Sequence, residues 1–493
     1  MSKSVIIIGA GFSGLSAAAF MAKAGWKVTV IEKNDTVGGR ARQLKDQGFT
    51  FDMGPSWYWM PDVFERFFNQ FGKKVSDYYN LQRIDPSYRV YWSDTYTNIP
   101  ANYEQLKDLF ESIEQGSGEK LDQYLKEASL KYQIGIQDLV YKPGQSLTEF
   151  FDWKLIKNAL KLDVFTSIKS HVSKYFKSPR LRQLMEFPIL FLGALPENTP
   201  ALYSLMNYAD VVGGTWYPEK GMFSIVEGMR KLAEELGVVI RCNENAKQII
   251  IEKEAAKKLV TDKGEYKADA IISGADYQFT DSTLLPEAYR NYSDSYWNKK
   301  VLAPSCLLYY VGLNKRLDNI LHHSLFFDVE FDQHASQIYS NPQWPDEPLF
   351  YLSVSSKTDH TVAPQGCENL VVLIPVASGL ENDSEELREL YFQKVLKRIE
   401  NHTGQSIAEA IIYKRSYSIS DFKKDYNSYK GNAYGLANIL KQTAIFKPSL
   451  QNKKVKNLFY TGQFTVPGPG VPPSLISGEV VSKQVIKAFK NDL

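Results

Sequence analysis

What the chain lacks narrows its chemistry before any motif is read. Its 493 residues include only three cysteines, Cys242, Cys306 and Cys367, with no C-x-x-C pair. That excludes a disulfide framework, a zinc cluster and an iron–sulfur centre, and it fits a reducing cytosol. The 58 basic and 56 acidic side chains leave a formal net charge of +2, so no global field exists for nucleic acid. No stretch approaches the roughly 20 apolar residues of a transmembrane helix, and the apolar run Val5–Ile8 is too short for a signal peptide. A cytoplasmic location is expected. The six histidines show no ligand spacing, and His322 and His323, being adjacent, would point to opposite faces of a strand. They read as structural or surface residues, and no metal site is expected. No internal repeat or low-complexity tract is evident.

What is present is globular material: 44% hydrophobic and 23% charged residues, enough for about two or three domains with sizeable cores. The 30 Tyr and 27 Phe fill cores by default, but can also wall a large apolar cavity. The N-terminus carries an ordered series. Val5–Ile8 is a short β-branched run of the kind buried on both faces of a parallel sheet. The turn Gly9-Ala10-Gly11-Phe12-Ser13-Gly14 follows, then a small-residue helix, then the strand Lys27–Ile31 closing on Glu32. Gly9 makes the tight turn, Gly11 lets the backbone approach a pyrophosphate, and Gly14 allows close helix–strand packing. The helix start offers N–H groups to phosphates. Glu32 is placed to bind adenosine ribose hydroxyls and to disfavour a 2′-phosphate. Together these residues read as an adenine-dinucleotide site.

Glu32 to Gly38-Gly39-Arg40 resembles the second signature of the amine-oxidase and carotenoid-desaturase flavoproteins, in which a Gly-Gly-Arg turn follows the ribose-binding acid. The resemblance makes the dinucleotide FAD. Two glycines let the chain pass close to the cofactor, and Arg40 can offer a fork of donors to phosphate or flavin oxygens. Gly54-Pro55-Ser56 resembles the family's segment beneath the flavin ring, and Ala246 begins a strand that members lay against the adenine end. Near the C-terminus, Thr461-Gly462-Gln463 leads through a Pro/Gly-rich loop and Val471-Pro472-Pro473 to a helix expected from about Ser474. Its N-terminal dipole would face the flavin and stabilise the negative charge of the reduced ring. Gln463 departs from the family, where many members carry an acid near the ribityl chain.

The closing motif and the near-full-length resemblance point to the bacterial-type phytoene desaturases. They imply an α/β fold: a discontinuous Rossmann-like FAD-binding domain from residues 1–75, 215–289 and 421–493, with an inserted α+β substrate domain from 76–214 and 290–420. The implied reaction is dehydrogenation of a carotenoid polyene, phytoene towards lycopene, with oxygen or a quinone as electron acceptor. A later-stage 3,4-desaturase and a polyene isomerase are the alternatives. Amine and porphyrinogen oxidases are more remote, as is a prenyl-binding chaperone sharing the fold. Removing a hydride and a proton from a hydrocarbon asks the protein mainly for orientation and a dry tunnel. The proton acceptor is unknown, for Glu186, Glu197 and Asp210 lie in the aromatic middle region without a motif. Thr148 to Ser178 interleaves aromatics with lysines, a pattern that can lie in a membrane interface; peripheral association with the cytoplasmic membrane face is expected.

Overall fold

The computed structural model describes residues 2–137, 139–146, 149 and 163–490. Val5–Ile8 is at most 4% exposed, because Ser4–Ile8 forms the middle of a five-stranded sheet. The strands lie in the order Leu458–Tyr460, Ala270–Ser273, Ser4–Ile8, Lys27–Ile31, Val239–Arg241, and every pairing is parallel. Burial of each such aliphatic side chain stabilises the fold by about 1.5–3 kcal/mol. Beside this sheet stands a three-stranded antiparallel sheet, Ala246–Glu252, Ala255–Thr261 and Glu265–Lys267.

The helix Phe12–Lys23 packs against the C-terminal helix Val471–Lys490, and two glycines set how closely. A Cβ on Gly14 would lie 2.0 Å from the Gly9 carbonyl oxygen, and one on Gly478 would lie 2.5 Å from both Ser13 O and Ser16 Cβ. The Ser16 hydroxyl donates to Leu475 O at 2.7 Å across the same contact. Gly478→Ala is therefore expected to push the helices apart at a cost of about 1–3 kcal/mol. The measurement is thermal unfolding with and without flavin, and the melting temperature should fall in both states.

A second sheet of seven strands runs in the order Ile411–Tyr417, Ser305–Leu313, Glu368–Val376, Phe350–Ser353, His323–Phe326, Tyr88–Tyr91, Tyr96–Ile99. Only the pairing of His323–Phe326 with Tyr88–Tyr91 is parallel. Ladder register puts Leu308, Leu373, Tyr351 and Leu325 in one row across four strands. The helix Glu385–Thr403 buries Tyr391, Phe392, Val395, Leu396 and Ile399 in the core cluster on this sheet.

Two sequence expectations change here. His322 and His323 do not part to opposite faces: their rings lie 4.3 Å apart, because the strand begins only at His323 and the alternation rule does not reach His322. The last helix begins at Val471 rather than Ser474, with both prolines in its first turn, where their missing N–H groups cost nothing. The lysine–aromatic segment Thr148–Ser178 lies in part outside the described residues, which omit Phe150, Phe151, Trp153, Leu155, Ile156 and Leu160. Within its described part, Phe165 is 92% exposed. Among the described residues, no helix is long and apolar enough to cross a membrane.

Candidate active site

The Gly9–Gly14 turn crosses the carboxyl ends of the parallel strands. Gly9 has φ +93°, and its N–H donates to Ile31 O at 2.8 Å, tying the turn to the second strand. A Cβ on Gly11 would meet only Gly39 Cα, at 4.0 Å; its backbone faces open space at the start of a helix. Glu32 is buried, its carboxylate accepting from Ala10 N–H at 2.8 Å and Asn34 N–H at 2.9 Å. Gly38 and Gly39 both have positive φ, +111° and +55°, and a Cβ on Gly39 would lie 3.2 Å from Gly11 Cα. Gly54 lies against the same turn, where a Cβ would sit 2.2 Å from Arg40 O.

Arg40 is partly buried in this turn. Its Nη2 donates to Ser428 Oγ at 3.0 Å and to Asn432 O at 3.2 Å. With the Gln463 amide oriented to satisfy both of its ends, Oε1 accepts from Arg40 Nη2 at 3.1 Å and Nε2 donates to Ala433 O at 3.2 Å. Gln463 thus meets an arginine. Burial lowers the guanidinium pKa, and the nearby Asp276 carboxylate offsets part of that loss. Arg40 Nε finds no partner among the described residues, a buried donor of the kind that an oxygen-rich ligand satisfies.

These residues surround a cleft with an empty volume of about 1540 Å³, its open mouth included. Gly9, Gly11, Glu32, Gly38, Gly39 and Arg40 line it, and so do Gly54, Pro55, Ala246, Gly462, Gln463 and Val471. Three residues expected at the cofactor do not. Gly14 lies behind the turn, its lack of a side chain used against Gly9 O. Ser56 and Pro472 line a second cavity instead, each one residue beyond a position on the wall between the two.

That second cavity has an empty volume of about 1580 Å³, its open mouth included. One wall is a face of the helix Phe331–Tyr339, where Phe331, His334, Ala335, Ile338 and Tyr339 recur at helical spacing. Another is the sheet row Leu373, Tyr351 and Leu325, and Trp57, Trp59 and Phe187 supply further aromatic wall. None of its described lining residues is Asp, Glu, Lys or Arg. His334 adds no charge: Nε2–H donates to Pro375 O and Nδ1 accepts from Leu349 N–H, each at 2.9 Å, and burial pulls its pKa down to about 4. Gly54, Pro55, Cys306, Leu373, Tyr434, Gly470 and Val471 line both cavities, so the helix start at Val471 abuts their common wall.

The stripe from Phe331 to Tyr339 keeps helical spacing, but nothing in it marks the apolar face as a cavity wall. Cys306 and Leu373 carry no local signal at all. Among the acids of the middle region, Asp210 accepts from Tyr88 Oη at 3.0 Å, Glu197 lies 3.4 Å from Lys169 Nζ, and neither these nor Glu186 lines either cavity. The fold also gathers Glu127, Asp163 and His171, invisible as a group in sequence, with donor atoms within 4.8 Å of one another. The buried Lys131 ammonium sits 2.9 Å from Asp163 and supplies the positive charge there.

The profile of the flavin containing amine oxidoreductases matches residues 12–486. A carotenoid 3,4-desaturase of Haloarcula japonica is 40% identical over 98% of this chain and 98% of its own. A phytoene desaturase of Fusarium fujikuroi is 29% identical over 100% of this chain and 91% of its own. An oxidoreductase from Methanosarcina mazei of known crystal structure shares the fold at a TM-score of 0.65, with 15% identity, over 97% of this chain and 100% of its own. The glycine cradle, the buried Glu32 and the unsatisfied Arg40 Nε fit the diphosphate and ribose of FAD, the cofactor of this family. The chain belongs to the flavin containing amine oxidoreductases and, among them, to the carotenoid desaturases.

Proposed function

We propose that the protein is an FAD-dependent desaturase of a carotenoid polyene, taking phytoene towards lycopene. The observation that carries this reading is the pair of cavities sharing one wall, the first fitted to a dinucleotide and the second apolar and free of charged groups among its described lining residues. An amine would find no carboxylate in that second space, whereas a hydrocarbon polyene needs none. Bound FAD supplies the hydride acceptor. The chain's own work is to hold a polyene bond at the common wall, to keep water out, and to place the start of the helix Val471–Lys490 where its dipole favours negative charge.

A second reading is 3,4-desaturation near a polyene end, favoured by the 40% identity to the Haloarcula enzyme. We also propose attachment at the cytoplasmic membrane face, supported by the lipid solubility of the substrate and the exposed Phe165, with oxygen or a quinone reoxidising the flavin. The test is expression in two hosts, one accumulating phytoene and one accumulating lycopene, followed by pigment chromatography and mass measurement. Coloured products lighter by pairs of hydrogens in the first host support phytoene desaturation, and such products only in the second support the 3,4-reading. Products of unchanged mass indicate an isomerase, and unchanged pigments in both hosts overturn desaturation.

A further inference from the structure

We propose that Tyr351, backed by His323, is the proton acceptor of the dehydrogenation, an assignment that rests on the desaturase reading. Once a hydride has left one carbon, the neighbouring carbon must give up a proton, and an apolar cavity offers few places for it. Among the described residues lining the second cavity, Tyr351 is the one whose hydroxyl meets an imidazole, with Oη 2.6 Å from His323 Nδ1. The other polar groups are otherwise engaged or lack a base. Ser305 donates to Gly431 O at 2.6 Å, and both nitrogens of His334 are used. The Tyr339 hydroxyl has no hydrogen-bond partner, and burial pushes the Cys306 thiol up to about 12.

Tyr351 stands at the right end of the cavity for two reasons. It lines the second cavity directly opposite Leu373 in the ladder, Leu373 being on the wall common to both cavities, and residues so paired have Cβ atoms about 4.5–5.5 Å apart. Burial holds the pKa of the Tyr351 phenol above its ordinary value, and the hydroxyls of Ser353 and of Ser56, the latter next to Gly54-Pro55 of that wall, offset part of that rise. Behind it, His323 is 0% exposed and neutral, its pKa pulled well down by burial and by His322. With Nδ1 accepting from the phenol, the hydrogen is on Nε2, which has no partner among the described residues. The imidazole is stacked on Trp57 at 4.3 Å and 11°, a face that stabilises a cation.

The step balances. One C–H bond breaks with its electron pair going to FAD as hydride. The adjacent C–H bond breaks with its proton going to the Tyr351 oxygen while the phenolic proton passes to His323 Nδ1, and the electron pair left behind becomes the new π-bond. The product is the desaturated polyene, reduced flavin and an imidazolium on Trp57. A carbon made cationic by hydride loss is a strong acid, so a phenol with a weak base behind it suffices.

The experiment uses flavin-bound protein and whichever polyene the wild type oxidises, phytoene or lycopene, in detergent micelles without oxygen. Single-turnover flavin bleaching is followed in H₂O and D₂O. Tyr351→Phe is expected to slow bleaching by about 100-fold or more and to abolish the solvent isotope effect. His323→Asn, which keeps an acceptor but cannot hold the proton, should do the same. Flavin content should be unchanged, and polyene binding to the flavin-free protein, read from the shift of the polyene absorbance band, should stay within about threefold of wild type, far less than the loss of rate ascribed to the proton transfer. Bleaching by Tyr351→Phe close to the wild-type rate, or a loss of polyene binding as large as the loss of rate, overturns the assignment. A wild-type protein that neither polyene bleaches overturns the desaturase reading beneath it.

Discussion

Gly11→Ala is expected to give a folded protein that purifies without flavin. Gly11 has φ −76°, open to any residue, and a Cβ there meets nothing nearer than Gly39 Cα at 4.0 Å, so the methyl does not strain the empty fold. It enters the space through which a pyrophosphate approaches the helix start. A clash of about 1–3 kcal/mol weakens FAD binding on the order of 10- to 100-fold. The measurement is flavin titration by fluorescence, beside the melting temperature of the flavin-free protein, which should match wild type. Wild-type flavin affinity in this variant would place the pyrophosphate elsewhere. Gly14→Ala makes the contrast: its methyl would lie 2.0 Å from Gly9 O, so the turn itself fails, with or without cofactor.

Ala335→Trp is expected to do the reverse, keeping flavin and losing the polyene. Ala335 lies on the face of the helix Phe331–Tyr339 that lines the second cavity, and it takes no part in the first. An indole projecting there displaces polyene carbons. At ~0.8 kcal/mol for each buried carbon, about four of them amount to roughly 3 kcal/mol, on the order of 100-fold in binding. Polyene binding should fall by that factor while the flavin absorbance per protein stays at the wild-type value. Unchanged polyene turnover would mean that the substrate lies elsewhere. The two variants together separate the cavities, each emptying one and sparing the other.

The dinucleotide turn was legible because its logic is local. Strand, glycines, helix and acid follow one another within thirty-odd residues, and two of the glycines answer to contacts within that unit or its neighbour: Gly14 to Gly9 O, Gly39 to Gly11 Cα. Ser56 and Pro472 were assigned to the cofactor and line the other cavity, because a chain crossing a shared wall presents neighbouring residues to opposite sides. Gln463 stood out as a departure, and the fold supplies its reason in Arg40, a partner more than four hundred residues away. The paired histidines were read by strand alternation, which the start of the strand at His323 cuts short.

By itself, then, the sequence determined that this protein binds an adenine dinucleotide. Such recognition depends on glycine, helix start and acid at fixed short spacings, and spacing is what a sequence records. Only the tertiary structure decided where an apolar cavity lies beside that site and which groups wall it. The apolar cavity is walled by a helix face and by a row of side chains whose register is set by hydrogen bonds between distant strands. The Tyr351–His323 contact exists because Phe350–Ser353 pairs with His323–Phe326, and no local pattern in either segment carries that pairing.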